Sequence, residues 1–161
     1  GTYVENPTNG TISPKILGKR IRFIGAVDGS GAPVTTIQGT LMVSLDYGMS
    51  DNIRIENINF VEVDSVDGII LFGVNGATIS NCSFTGSGYS STGRGILLAN
   101  GSSNGNSAIT IEDSYFTGGY NSAIQGYASG LTIRNSTIDQ TRSGINFQGG
   151  ADLVVQPTAQ G

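Results

Sequence analysis

The sequence predicts an all-β solenoid, in which short strands of successive coils stack on one another. The pattern apolar-x-apolar-x-Asn/Asp-x-x-Phe/Ile occurs within residues 52–60, 76–84, 108–116 and 130–138, and a weaker copy follows at 152–160. Alternation with period two is typical of strands, and the Asn or Asp after it marks a turn. A second alternating motif lies between the copies, without helical periodicity. Strand repeats of this length predict a solenoid.

We expect one domain, residues 1–161, with an irregular first part and a regular second part. Residues 1–50 contain short apolar runs between Gly-rich turns, such as residues 21–24 and 41–45, and we interpret them as irregular first turns. From residue 51 to residue 161 the repeat is regular: its first apolar position recurs after 24, 32, 22 and 22 residues. One coil cannot bury its own apolar face, so successive coils must stack.

The second motif predicts at least two strands in every coil. Its copies begin with a polar residue and continue with apolar ones, at residues 67–71, 94–98, 122–126 and 143–147. The two largest insertions, residues 86–94 and 100–107, are rich in Gly, Ser and Asn. Because they flank the strand at 95–98, we expect them to rise on either side of one sheet.

Stacking of like residues predicts the buried columns and the turn column. Two apolar columns would be Ile53, Ala77, Ile109, Leu131, Leu153 and Ile55, Ile79, Ile111, Ile133, Val155. A third would be Phe60, Phe84, Phe116 and Ile138, and the turn column would be Asn57, Asn81, Asp113 and Asn135. Side-chain amides in the turn column could hydrogen-bond from coil to coil. The lone cysteine, Cys82, occupies the slot of Ile58, which predicts a buried, inert thiol.

The pattern resembles the right-handed parallel β-helix of the pectate-lyase-like superfamily over nearly the whole chain. The opening GTYVEN at residues 1–6, the strand IRFIG at 21–25 and TTIQG at 35–39 look like first turns of secreted proteins in that group. The resemblance implies a β-helix of about five to seven turns and an extracellular, cell-surface or virion-surface setting. The superfamily contains lyases, hydrolases, esterases, phage tailspikes and non-catalytic adhesins, so the resemblance leaves the activity open.

Composition excludes several classes of function. Net charge is −4, and the sequence pI is about 4.5. Lys and Arg are mostly scattered, so we do not expect nucleic acid binding, which needs a basic patch. No apolar window is long enough to span a bilayer. Histidine is absent and there is one cysteine, which excludes a Ser-His-Asp triad and a zinc site.

The weak catalytic candidates are Asp139, Arg142 and Arg94, which stand before strands of the second motif. Lyases that the chain resembles use an Arg or Lys base beside acid-bound calcium. Arg94 and Arg142 each precede a strand of the second motif, a position that suits such a base. Asp64 and Asp67 are the weak Ca²⁺ candidates because carboxylate oxygens suit that ion. Solvated turn carboxylates and surface cations are the alternative interpretation of all five residues.

Exposed aromatic residues give a better indication of a ligand. Tyr89 belongs to the first long loop, Tyr120 to the corresponding turn one repeat later, and Tyr127 to the end of the next strand. Together with Arg94 and nearby Asn, Ser and Gln, they would suit sugar rings, which have an apolar face and many hydroxyls. Packing of the loops against the solenoid is the alternative.

We therefore expect a non-catalytic extracellular structural or adhesive module that contacts carbohydrate on one lateral face. Residues 1–4 and 153–155 look strand-like and uncapped, which predicts self-association through the solenoid ends or a longer parent chain. No cofactor is expected apart from the Ca²⁺ alternative. The alternative function is a fragment of a carbohydrate-active enzyme: a polysaccharide lyase, a glycoside hydrolase or a tailspike-type depolymerase.

Overall fold

In a computed structural model, the chain winds into a parallel β-helix whose three sheets run along the helix axis. The structure describes residues 2–4, 11–12, 21–44, 51–63, 65–88, 92–99, 105–147 and 153–156. These residues contain no helix, and hence none that is long and apolar enough to cross a membrane. The predicted all-β parallel solenoid is confirmed.

Each coil adds one strand to each sheet, and each sheet has six strands. The first sheet holds β1 (Thr2–Val4), β4 (Thr35–Gln38), β7 (Ile58–Val61), β10 (Ser83–Thr85), β13 (Tyr115–Thr117) and β16 (Thr137–Ile138). The second holds β2 (Thr11–Ile12), β5 (Thr40–Ser44), β8 (Ile69–Phe72), β11 (Arg94–Ala99), β14 (Ser122–Gly126) and β17 (Ser143–Phe147). The third holds β3 (Arg22–Ile24), β6 (Asp51–Glu56), β9 (Asn75–Ser80), β12 (Asn106–Glu112), β15 (Ala128–Arg134) and β18 (Leu153–Gln156).

The pairing register confirms all three predicted apolar columns. In the third sheet the paired residues are Ile53, Ala77, Ile109, Leu131 and Leu153, followed two residues later by Ile55, Ile79, Ile111, Ile133 and Val155. In the first sheet, Phe84 pairs with both Phe60 and Phe116, and Phe116 pairs with Ile138. Each large apolar side chain buried in these columns contributes roughly 1.5–3 kcal/mol, so the columns are the main source of stability.

The aromatic column is matched by a column of small residues across the core. The rings of Phe60, Phe84 and Phe116 stack nearly parallel, with centroids 5.0 and 4.5 Å apart. A Cβ on Gly95 would lie 2.8 Å from Cδ1 of Phe116. A Cβ on Gly68 would lie 2.8 Å from the carbonyl oxygen of Gly95. Glycine is therefore required at both positions where the second sheet faces the ring stack.

The predicted turn column divides what looked like one strand into two. Asn57, Asn81, Asp113 and Asn135 all have a positive φ, between 47° and 62°, which Asn and Asp tolerate better than most residues. Each corner sends the chain from the third sheet into the first, so a coil has three strands. Asn81 Nδ2 donates to Asn57 Oδ1 at 2.9 Å, so the amide ladder exists between these two coils.

A hairpin at residues 25–34 lies against this corner of the solenoid. Its stem is the antiparallel bridge between Val27 and Pro33, and Asp28 Oδ1 accepts hydrogen bonds from the backbone of Ser30 and Ala32. The Ser30 hydroxyl also donates to Asp28 Oδ1, at 2.7 Å. This side-chain bond contributes most to lowering the pKa of Asp28, and the backbone bonds lower it further. Three amides fasten the hairpin to later coils: Asn57 donates to Gly25 O, Asn59 to Pro33 O and Asn81 to Gly31 O.

We predict that Ile111→Asp abolishes folding, because Ile111 is fully buried between Ile79 and Ile133 and an unpaired charge would be placed in the core. Thr110→Asp is the matched control, since Thr110 is the residue before Ile111 in β12, faces outwards and is partly exposed. Circular dichroism and thermal melting would report the outcome. A soluble Ile111→Asp protein that melts cooperatively would contradict the register.

Candidate ligand-binding face

The outer face of the second sheet carries an unusual row of apolar side chains. Its central outward column is Met42, Ile70, Leu97, Gln125 and Asn146, all partly or fully exposed. The inward neighbours Leu71 and Leu98 are completely buried, so the alternation of the strands is intact. The first three outward positions nevertheless hold apolar residues, and the last two hold amides.

A second outward column brings two aromatic rings to the same face. Phe72 pairs with Ala99, and the ladder continues to Tyr127, whose backbone N–H donates to Leu98 O at 2.9 Å. Phe72 and Tyr127 are thus two coils apart, roughly 10 Å at the usual strand spacing. Tyr127 is 41% exposed. We name the outward side chains of both columns the lateral face.

The first long loop leaves the solenoid beside this face and is held at both ends by buried carboxylates. Glu62 Oε2 accepts the backbone N–H of Ser87 at 2.9 Å, and Asp67 Oδ1 accepts that of Arg94 at 2.8 Å. Both acids are almost inaccessible to solvent. A Cβ on Gly93 would overlap with the Glu62 carboxylate, so glycine is needed there. Two acids of the third coil therefore anchor a loop of the fourth.

The second long loop ends at Asn106, a buried amide that joins three coils. Asn106 Nδ2 donates to the carbonyl oxygens of Leu71, Ala99 and Tyr127, at 3.1, 2.9 and 3.4 Å. Its Oδ1 accepts the backbone N–H of Val74 at 3.0 Å. Sequence reasoning missed this residue. The available signal was a polar residue paired with Ala128 in an otherwise apolar column, directly after a long insertion.

Arg94 and Asp67, predicted to serve different purposes, form one ion pair. Arg94 Nε lies 2.6 Å from Asp67 Oδ1, and Nη2 lies 3.0 Å from Oδ2. The pair is bidentate, so Arg94 engages both carboxylate oxygens of Asp67. Asp64 lies outside the described residues. In the described ranges, no three His, Cys, Asp or Glu side chains are grouped as a metal site.

Asp139 and Arg142 are not brought together with Arg94. Their backbone N–H groups donate to Phe116 O and Tyr120 O, which places both residues in the sixth coil, two coils beyond Arg94. At the strand spacing this separation is roughly 10 Å. Both side chains are exposed. The three catalytic candidates therefore share a corner of the solenoid without forming a cluster.

The prediction that Tyr120 is an exposed ligand contact is wrong. Its side chain is completely buried in the core, and its hydroxyl has no hydrogen-bond partner among the described residues. Burial raises the pKa of Tyr120, and the charges of Glu62 and Asp67 raise it further. The ring turns inward where the chain passes from the first sheet to the second. Tyr89 lies outside the described residues, so Tyr127 is the predicted tyrosine that the structure places on the lateral face.

The predicted burial of Cys82 is confirmed, and one ion pair adds to the stability of the third sheet. Cys82 is buried, and this burial raises the pKa of its thiol to about 12, so the cysteine is inert. Arg134 Nε donates to Glu112 Oε2 at 2.6 Å across neighbouring strands of the third sheet. This pair is solvent-exposed and contributes a few tenths of a kcal/mol at most.

Phe72, Leu97 and Gln125 were also missed by sequence reasoning. The signal for the first two was present in the runs IILF (residues 69–72) and ILLA (96–99), which lack the polar outward positions of the third sheet. A half-buried strand normally alternates, so a continuous apolar run indicates that its outer face is covered or binds something.

We predict that Asn106→Ala lowers the free energy of unfolding by about 2 kcal/mol or more, because the Val74 N–H and three carbonyl groups would lose a buried partner. Asn146→Ala is the control, since Asn146 is exposed in β17, the last strand of the second sheet. Urea denaturation measures both variants. Equal stability of Asn106→Ala and the parent protein would show that the amide does not clamp the coils.

Comparison with known proteins identifies the family but no individual relative. A family model described as a right handed beta helix region matches residues 43–158, which is most of the 161-residue chain. No curated protein and no solved structure matches the chain.

Proposed function

Since the chain belongs to the right-handed β-helix family, we propose that it is a non-catalytic structural or adhesive module that contacts carbohydrate through its lateral face. The observation that carries this proposal is the position of the two longest loops. Both leave the fourth coil, one on each side of β11, and both are fastened by buried polar side chains. Loops on a rigid scaffold are the usual place for binding residues. An extracellular setting is part of the proposal.

The chemistry of the lateral face suits a sugar chain. The rings of Phe72 and Tyr127 and the apolar column from Met42 to Leu97 can contact the apolar faces of pyranose rings. The amides of Gln125 and Asn146 can donate to and accept from hydroxyl groups. A surface that combines apolar contact with a few polar groups is typical of ligand sites.

Self-association through the solenoid ends is a second proposal, supported by the last coil. Val154 and Val155 of β18 are 41% and 56% exposed, although Val155 continues a column that is buried in earlier coils. Ile138, Ile145 and Phe147 of the same coil are only partly buried. A β-coil of a second copy would cover these side chains and pair with the strands of this coil.

For this second proposal we expect Val155→Lys to shift the protein towards the monomer in sedimentation velocity, because a charge would be buried in the contact between coils. Val63→Lys serves as the control, since Val63 is 38% exposed on the side of the third coil. A chain that is already monomeric at high concentration, or association that survives Val155→Lys, would contradict the proposal.

A carbohydrate-active enzyme is the alternative function. Polysaccharide cleavage needs an acid and a base within reach of one glycosidic bond. Of the catalytic and Ca²⁺ candidates in the described ranges, Asp67 and Arg94 lie together, and these neutralise each other in a bidentate ion pair. The geometry therefore favours binding over cleavage.

We predict that Tyr127→Ala weakens binding about tenfold to any polysaccharide that binds the parent protein, since stacking and hydroxyl contacts at this site would be lost. Tyr115→Ala is a closely matched control: Tyr115 is 42% exposed but lies in the first sheet. Affinity electrophoresis in gels that contain a panel of polysaccharides provides the measurement.

The same glycans, incubated with the protein with and without Ca²⁺, should yield no new reducing ends or unsaturated products. Turnover that disappears in Arg142→Ala or Asp139→Ala would establish the enzyme instead. Equal loss of binding in Tyr127→Ala and Tyr115→Ala would contradict the assignment of the lateral face as the binding site.

A further inference from the structure

One long segment of this protein is almost without charge. The chain contains 20 charged residues, the sum of 8 Lys and Arg and 12 Asp and Glu, yet residues 68–111 contain a single one, Arg94. This segment provides β8 to β11, most of β12 and both long loops. The charge of Arg94 is neutralised by Asp67 through two hydrogen bonds. The one charge within the segment is therefore paired.

The described part of the lateral face has the same property. Its outward residues in the described ranges are Met42, Ile70, Phe72, Leu97, Ala99, Gln125, Tyr127 and Asn146. None of these is ionisable near neutral pH. The flanking loops GSGYSSTG (residues 86–93) and NGSSNG (100–105) also contain no charged residue. Hydroxyls, amides and apolar groups are what this surface offers to a ligand.

Charged side chains are instead found on the outer face of the third sheet. Arg22 and Arg54 both contact Glu56, and Arg134 pairs with Glu112. The fold thus tolerates outward charges on β-strands of the third sheet, whereas the strands of the first and second sheets contain a single charged residue, Arg94. Solubility alone would favour charges on every exposed sheet. The lateral face therefore has no counter-charge to offer an ionic ligand.

We infer that the lateral face selects uncharged polysaccharides, a specificity that rests on the carbohydrate-binding function proposed above. A uronate or sulfate group on this face would lose water without gaining a counter-charge, which is costly. The net charge of −4 adds a general repulsion of anionic polymers. A neutral sugar chain has no such cost, because its hydroxyls exchange water for Gln, Asn, Ser and Tyr groups.

The test uses the full chain in affinity electrophoresis against separate gels of neutral β-glucan, galactomannan, polygalacturonate and alginate. We expect retardation by a neutral polymer and none by the two acidic polymers. Retardation should be the same at low and high salt, since no ion pair forms. Tyr127→Ala should lose it.

Charge variants make the test sharper. Gln125→Glu places a carboxylate on the lateral face with little change in shape, and we expect it to weaken binding of the neutral polymer at least fivefold. Thr132→Glu places the same charge on the third sheet, where Thr132 also faces outwards, and should leave binding unchanged. Thermal melting of both variants checks that they remain folded.

The outcomes separate the two levels of the proposal. Binding of an acidic polymer that weakens with salt, or full binding of neutral polymer by Gln125→Glu, would overturn the uncharged specificity and leave carbohydrate binding in place. Absence of binding to all four polymers would overturn the specificity together with the proposed function.

Discussion

Every coil of this protein has to place its strands directly over those of the coil before it, and the ring stack of Phe60, Phe84 and Phe116 shows how strict that constraint is. The rings lie 4.5–5.0 Å apart, which is the spacing of hydrogen-bonded strands. They can do so only because Gly68 and Gly95 leave no Cβ in the space opposite them. In the sixth coil Ile138 replaces the phenylalanine ring. The fifth coil has Ala123 at the position that Gly95 occupies in the fourth. Backbone pairing and core packing therefore impose the same period.

Variation in coil length is confined to the corners as a result. The extra residues of the fourth coil leave on both sides of β11, and β11 itself keeps its register with β8 and β14. Loops that leave a corner also leave backbone groups there without a strand partner. Glu62, Asp67 and Asn106 supply the missing hydrogen bonds, each to a residue of another coil. These three buried polar residues mark the places where the repeat changes length.

The sequence predicted the parts of the fold that repeat. The apolar columns and the Asn corners both follow from superimposing copies of one motif. Tyr120 could not be placed in this way, because its turn, rich in glycine, reads as surface although the ring turns inward. The partners of Asn106 and Glu62 could not be predicted either. These partners belong to neighbouring coils, and only the folded chain shows which carbonyl or N–H group each side chain meets.

The hairpin at residues 25–34 alters how the solenoid comes apart. In a stack of repeats, coupling normally extends only to the next coil, so unfolding can begin at either end and proceed one coil at a time. Here Gly31 accepts a hydrogen bond from Asn81, which is 50 residues further along the chain, while Gly25 and Pro33 are held by Asn57 and Asn59. The early coils cannot separate singly, because the hairpin must first release amides that belong to later ones. Among the described residues no comparable fastening covers the corners at Asp113 and Asn135. We therefore expect cooperativity to be unequal along the axis, with the coils that the hairpin joins melting together.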